Sequence, residues 1–113
     1  MNDCLFCKIL RDEIPSVVVY EDEYVKAIKD IDPQAPFHII ILLKEHIEKP
    51  ADITSENCNY IGQAALAAAE IAKKEGLTDG YRLVLNSGSM GGQTVNHIHM
   101  HMLSGRNLGW PPG

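Results

Sequence analysis

Three of the chain's five histidines stand at alternate positions near the C-terminus: His97, His99 and His101, separated by Ile98 and Met100 and followed by Met102 and Leu103. In a β-strand, alternate side chains point to opposite faces. This spacing predicts three imidazoles on one face, about 6.6 Å apart at the backbone for a rise of roughly 3.3 Å per residue. Near neutral pH an imidazole can be a nucleophile, a general acid or base, or a metal ligand. A single strand histidine is ordinarily a packed or solvated residue; three on one face read as a site. A zinc hydrolase with all three as ligands is one possibility. Positions 97 and 101 are about 13 Å apart along such a strand, which strains a single ion bound by both. Nucleophilic catalysis by the middle ring, His99, fits better, with its neighbours orienting substrate or donating hydrogen bonds.

A second candidate set opens the chain. Cys4-Leu5-Phe6-Cys7 is a Cys-x-x-Cys pair. The redox reading wants a βαβ setting that the start of the chain does not offer. A zinc half-site needs two more ligands, and two thiols packed near the N-terminus are the plain alternative. Cys58 reads as a small buried residue. Three cysteines do not make a disulfide framework and point to a reducing compartment. Ser87-Gly88-Ser89-Met90-Gly91-Gly92 could bring backbone N–H groups close to a phosphate, although a plain surface turn has the same composition.

The elements that must position these residues follow from pattern. Residues 4–11 read as a short helix ended by Ile14-Pro15. Strands are predicted over Val17–Glu21, Tyr24–Asp30 (with Val25, Ala27 and Lys29 on one face), Phe37–Leu43, Tyr81–Asn86 and Asn96–Leu103. Asp32, before Pro33, reads as a turn-capping residue. One long helix spans Asn57–Glu75, with caps from Asp52–Ser55, an apolar face of Ile61, Ala65, Leu66, Ala68, Ala69 and Ala72, and Gly76 as its C-terminal glycine. Five strands and one long helix make an α+β domain with a mainly antiparallel sheet.

With 113 residues and 45% hydrophobic content, the chain is expected to form one domain over residues 1–113. A net charge of −5 argues against nucleic-acid binding. The opening Met1-Asn2-Asp3-Cys4 lacks a signal-peptide pattern, and the longest apolar run is too short for a membrane span. A cytoplasmic location without membrane attachment is expected.

The segment from Gly91 to Leu103 carries His-φ-His-φ-His-φ-φ and resembles the histidine-triad (HIT) superfamily of nucleotide hydrolases and transferases. Asp30-Ile31-Asp32-Pro33-Gln34-Ala35-Pro36-Phe37-His38 resembles that family's nucleoside-binding strand and turn. Lys44-Glu45-His46-Ile47 resembles the turn that follows, and Trp110-Pro111-Pro112-Gly113 the ending of the Hint branch. The resemblance implies that His99 attacks the α-phosphorus of a nucleotide to form a covalent nucleotidyl-histidine. His101 would hydrogen-bond the phosphoryl oxygens, and His38 would assist proton movement. Thr94 stands where Hint proteins usually carry serine. Asn86, Gly92, Gln93 and Thr94 fall at phosphate-binding positions, and Asp30 at the acceptor for the ribose hydroxyls, a turn-capping aspartate being the plain alternative for Asp30. Phe6, Ile9, Ile14 and Ile40 match the apolar walls around the base, or are ordinary core.

With His38, His99 and His101 assigned to catalysis, His46 and His97 remain to join Cys4 and Cys7. Several bacterial HIT proteins are similar in carrying this set, which implies a closed, structural zinc site, with no metal required for catalysis. The implied reaction is hydrolysis of purine nucleoside 5′-phosphoramidates, and of aminoacyl or lysyl adenylates. The implied assembly is a homodimer with a continuous sheet, Trp110 reaching toward the partner's active site. Alternatives are a diadenosine polyphosphate hydrolase, a nucleotidyl transferase, or a nucleotide-binding regulatory module.

Overall fold

The computed structural model describes residues 3–113; the reading of Met1 and Asn2 as part of a leaderless start lies outside them. A short helix α1 (Leu5–Leu10) precedes strands β1 (Val18–Glu21), β2 (Val25–Lys29) and β3 (Phe37–Leu43). Helix α2 (Asn59–Glu75), β4 (Arg82–Val84) and β5 (His99–Ser104) follow. The sheet order is β1-β2-β3-β5-β4, with every neighbouring pair antiparallel. This is the α+β architecture expected from the pattern.

Strand β3, Phe-His-Ile-Ile-Ile-Leu-Leu, sits at the centre because both its faces are covered. Ile39, Ile41 and Leu43 meet α2 together with Val25, Ala27, Met100 and Met102. Ile40 and Leu42 face the other way, against Phe6 and Ile9 of α1 and Ile28 of β2. Strand residues directly opposite one another share a face. The register places Ile40 against His101, Leu42 against His99 and His38 against Leu103. One face of the sheet is therefore hydrophobic core, and the other carries His38, His99 and His101 under α1.

Helix α2 lies on the core face through Ala64, Ala67, Ala68, Ile71 and Ala72. The expected face of Ala65 and Leu66 is wrong in phase: Ala65 is exposed and Leu66 is 56% exposed. With alanine on every side of this helix, the pattern does not fix the inner stripe. The Asp52–Ser55 caps act one turn early: the Thr54 hydroxyl takes the N–H of Glu56, and Cys58, at the N-cap position of the helix, offers no side-chain cap. Cys58 is exposed rather than buried. Gly76 ends the helix at φ 69°, ψ 33°, the left-handed conformation a C-terminal glycine supplies.

On β2, Lys26 is 2% exposed and Lys29 is exposed. The buried ammonium donates to the Asp12 carboxylate at 2.8 Å and the Ile9 carbonyl at 3.2 Å, fastening the end of α1 to the sheet. Strand β4 is half the predicted length. Strand β5 starts at His99, so His97 lies in the bend before it. The Ile98 N–H donates to the Ile47 carbonyl at 2.8 Å. The three histidines are therefore not one row on one strand. Among the described residues no helix is long and apolar enough to cross a membrane.

Candidate active site

A cleft of about 810 Å³ opens on the α1 side of the sheet. Phe6, Ile9, Ile14 and Ile40 line it as the sequence predicts, joined by Leu5 and Ile28. Asp30, Thr94, His99 and His101 form its polar end. An apolar slot closed by a few convergent polar groups suits a ligand with a flat apolar body and a polar or anionic head.

His99 is 7% exposed. Its Nδ1 lies 2.8 Å from the carbonyl of His97. A carbonyl only accepts, so Nδ1 carries the proton and the neutral ring keeps its lone pair on Nε2. Phe6 packs edge-on against this ring at a centroid distance of 4.8 Å. Burial holds the His99 pKa below the usual histidine value, against the opposing pull of the His97 carbonyl and the Asp30 charge. The ring is thus neutral near pH 7, as a nucleophile must be.

His38 and His101 are diagonal neighbours across β3 and β5. The backbone N–H of Gln34 donates to His38 Nδ1 at 3.0 Å. The His38 proton therefore resides on Nε2, which lies 2.9 Å from His101 Nδ1. Accepting there, His101 carries its own proton on Nε2. Burial, followed by repulsion from His99 and His38, lowers the His101 pKa to about 4, with Asp30 opposing. His101 is a neutral hydrogen-bond donor. With its Nδ1 accepting from Gln34, His38 directs its Nε2–H at His101.

Asp30 Oδ2 stands 3.4 Å from His38 Nε2 and 4.0 Å from His101 Nδ1. Its Oδ1 accepts the N–H of Asp32 at 2.8 Å. The capping role expected of Asp32 thus belongs to Asp30.

Other predicted residues stand apart. The Gln93 side chain donates to the carbonyls of Glu48 (2.6 Å) and Val95 (2.9 Å) and accepts the N–H of Gly88 (2.9 Å). Its amide is spent on loop backbone, so it shapes the loop before Thr94 rather than lining the cleft. Asn86 Nδ2 contacts the Gly92 carbonyl at 3.5 Å, and neither residue lines the cleft. Trp110 is 85% exposed and outside it, on a tail that Arg82 holds through the Leu108 and Gly109 carbonyls. The sequence reading missed Leu5, Ser16, Val17, Ile28, Ile31 and Val95 as lining residues. Alternation on β2 marks Ile28, whose face is opposite that of Ala27; the others have no local signal.

Behind the cleft, ligand atoms of Cys4, Cys7, His46 and His97 all lie within 4.8 Å of one another. The two Nδ1 atoms are 3.0 Å apart, and the thiol–imidazole distances are 3.3, 3.4 and 3.5 Å. A tetrahedral zinc with Zn–N of about 2.0–2.1 Å and Zn–S of about 2.3 Å needs edges of roughly 3.3–3.8 Å. The donor set fits a closed zinc site after a few tenths of an ångström of relaxation. His97 Nε2 donates to the Leu43 carbonyl at 2.7 Å, which leaves Nδ1 as the ligating nitrogen. Among the described residues no cluster combines His97, His99 and His101, so the three-histidine zinc centre does not form.

Fold and site define a small α+β protein that receives a ligand between an apolar wall and paired neutral imidazoles. The HIT domain model matches residues 11–108; the chain belongs to the HIT family. It is 49% identical over 112 residues to an uncharacterized HIT-like protein of Synechococcus elongatus, covering 99% of this chain and 98% of that one. It is also 49% identical over 111 residues to a 14 kDa zinc-binding protein of Zea mays, covering 96% and 87%. A HIT family hydrolase from Legionella pneumophila superposes with a TM-score of 0.95 at 47% identity, covering 98% of this chain and all of that one.

Proposed function

We propose that this protein hydrolyses purine nucleoside 5′-phosphoramidates through a covalent nucleotidyl-His99, releasing a nucleoside monophosphate and an amine. The observation that carries this reading is the fixed proton pattern: His99 presents a bare Nε2, and His101 presents an Nε2–H, at the polar end of one apolar cleft. The Legionella hydrolase supports an enzyme of the HIT superfamily.

In the first step His99 Nε2 attacks the α-phosphorus. The P–Nε2 bond forms as the P–N bond to the amine breaks, and the amine takes a proton from solvent at the cleft mouth. In the second step water attacks phosphorus, the P–Nε2 bond breaks, and the water's proton returns to solvent. Splitting one displacement into two is what an imidazole nucleophile offers. The Nε2–H of His101 and the hydroxyl of Thr94 stabilise charge on the phosphoryl oxygens. Asp30 accepts from the ribose hydroxyls, and Phe6, Ile9, Ile14 and Ile40 hold the base. Aminoacyl or lysyl adenylates would enter the same intermediate.

Cys4, Cys7, His46 and His97 would hold zinc as a structural ion that pins the N-terminal segment; the Zea mays relative is named for zinc binding. The unit would be one domain of the Hint branch, acting in the cytoplasm as a homodimer. The edge position of β4 leaves a strand free to continue the sheet into a second copy, with Trp110 near the partner's cleft. Incubation with adenosine 5′-phosphoramidate tests the activity. AMP release by the wild type and its loss in His99→Asn are expected. Turnover of diadenosine polyphosphate in preference, or binding without turnover, would refute the proposed reaction.

A further inference from the structure

His97 belongs to two sites at once. Its Nδ1 faces Cys4, Cys7 and His46, and its Nε2–H is spent on the Leu43 carbonyl. Its own carbonyl accepts the Nδ1–H of His99. The side chain is therefore tied to the Cys/His cluster while the backbone of the same residue selects the tautomer of the reacting imidazole.

Helix α1 makes a second link between the sites. Cys4 caps the helix, its Sγ taking the N–H of Cys7 at 3.4 Å. The two cysteines bracket Leu5 and Phe6, which line the cleft. Phe6 meets His97 at 6.0 Å and His99 at 4.8 Å between ring centroids. The larger core, packed between the sheet and α2, includes none of the four cluster residues. Losing the cluster's tether would loosen the first turn of α1 and the 97–99 backbone, while Lys26 still holds the far end of α1 and the sheet and α2 stay packed.

We infer that the Cys4–Cys7–His46–His97 cluster, through its zinc, is the positioning element of the active site: metal occupancy sets the orientation of His99 and the nucleotide affinity of the cleft. His97 is a positioning residue in this scheme. The inference rests on the reading of His99 as nucleophile, but its main readouts need no turnover.

The experiment uses the full chain, stripped with a chelator and then reloaded with stoichiometric zinc. Three quantities are measured: AMP affinity by calorimetry, the His99 tautomer by ¹⁵N side-chain spectra at fixed neutral pH, and hydrogen exchange along the backbone. Stripping is expected to weaken AMP binding about tenfold or more, in the range seen when support around a metal site is lost. It should convert His99 from one Nδ1–H tautomer to a mixture. Exchange should rise over residues 5–8 and 97–99, and at Leu43, whose N–H donates to the Ile98 carbonyl at 3.3 Å, while residues 39–41 and 64–72 stay protected. Zinc should reverse all three effects in the wild type and none in Cys4→Ser/Cys7→Ser.

Unchanged AMP affinity and tautomer with only a lowered melting temperature would overturn the inference. So would exchange rising along the whole chain, because the core would then depend on the metal. Zinc-loaded protein that binds AMP in the expected way yet never forms an adduct at His99 would instead refute the proposed reaction.

Discussion

The backbone N–H of Gln34 donates to Nδ1 of His38 across 3.0 Å, and that bond decides which nitrogens of His38 and His101 carry protons. It forces the His38 proton toward His101, which lies 2.9 Å away. His101 is thereby left presenting its own N–H to the cleft. The proton pattern of these two rings thus depends on a main-chain group in the 32–36 turn that does not line the cleft.

Replacing His38 with leucine removes this constraint, and His101 can take either tautomer. We expect kcat to fall about 10- to 100-fold, the range for losing a group that orients a site residue. KM should change little, because His38 does not line the cleft. Steady-state kinetics of wild type and His38→Leu check this, and an equal fall in kcat and rise in KM would indicate direct substrate contact.

The pH dependence follows from burial. His101 titrates near pH 4 when folded and near 6.5 when unfolded. Between these values the unfolded chain binds a proton that the folded chain refuses. His101 therefore lowers stability as pH falls from about 6.5 to 4, by up to about 3 kcal/mol, with no further loss below 4. Urea titrations of wild type and His101→Asn across this window should diverge by that amount, the wild type being the more acid-sensitive. The His99 pKa is also depressed by burial, so kcat/KM should hold level below pH 6.5 before its acid fall.

Asp30 tests recognition of the sugar. Asp30→Asn keeps the Oδ1 acceptor for the Asp32 N–H but removes the charge. An acceptor bond to a charged group contributes about 1.5–3 kcal/mol. KM for a ribonucleotide substrate should rise roughly tenfold or more in the variant, and a deoxyribose substrate should lose much less. Equal losses on both substrates would remove Asp30 from ribose binding.

Gln93 is predicted to act on stability. Gln93→Leu leaves the Glu48 and Val95 carbonyls and the Gly88 N–H without their partner. We expect a loss of about 2–3 kcal/mol in urea unfolding, with faster hydrogen exchange over residues 88–95.

Much of this structure was legible in the sequence where one physical demand dominated. Phe37–Leu43 came out with its observed ends because a continuous apolar run suits a strand covered on both faces. Cys4, Cys7, His46 and His97 converge as the family resemblance implies, which gives the other three histidines to catalysis and leaves these two for the cysteine pair. Alternation failed at His97: the spacing is that of a strand, but the Ile98 N–H turns to Ile47 instead of extending the ladder. The phase of α2 was hidden by alanines on all sides. Lys26 reads as solvated until tertiary contact supplies Asp12 and the Ile9 carbonyl. The swap between Asp30 and Asp32 was beyond pattern, because either carboxylate can cap a turn.

The most direct test is to quench wild type in mid-reaction with adenosine 5′-phosphoramidate, under alkaline conditions that spare phosphorus–nitrogen bonds to histidine, and to map the modified residue by mass spectrometry. Adenylyl on His99, formed and lost at rates that match turnover, is the predicted result. Turnover with no protein-bound nucleotide, or with the nucleotide on another residue, would contradict nucleophilic catalysis by His99.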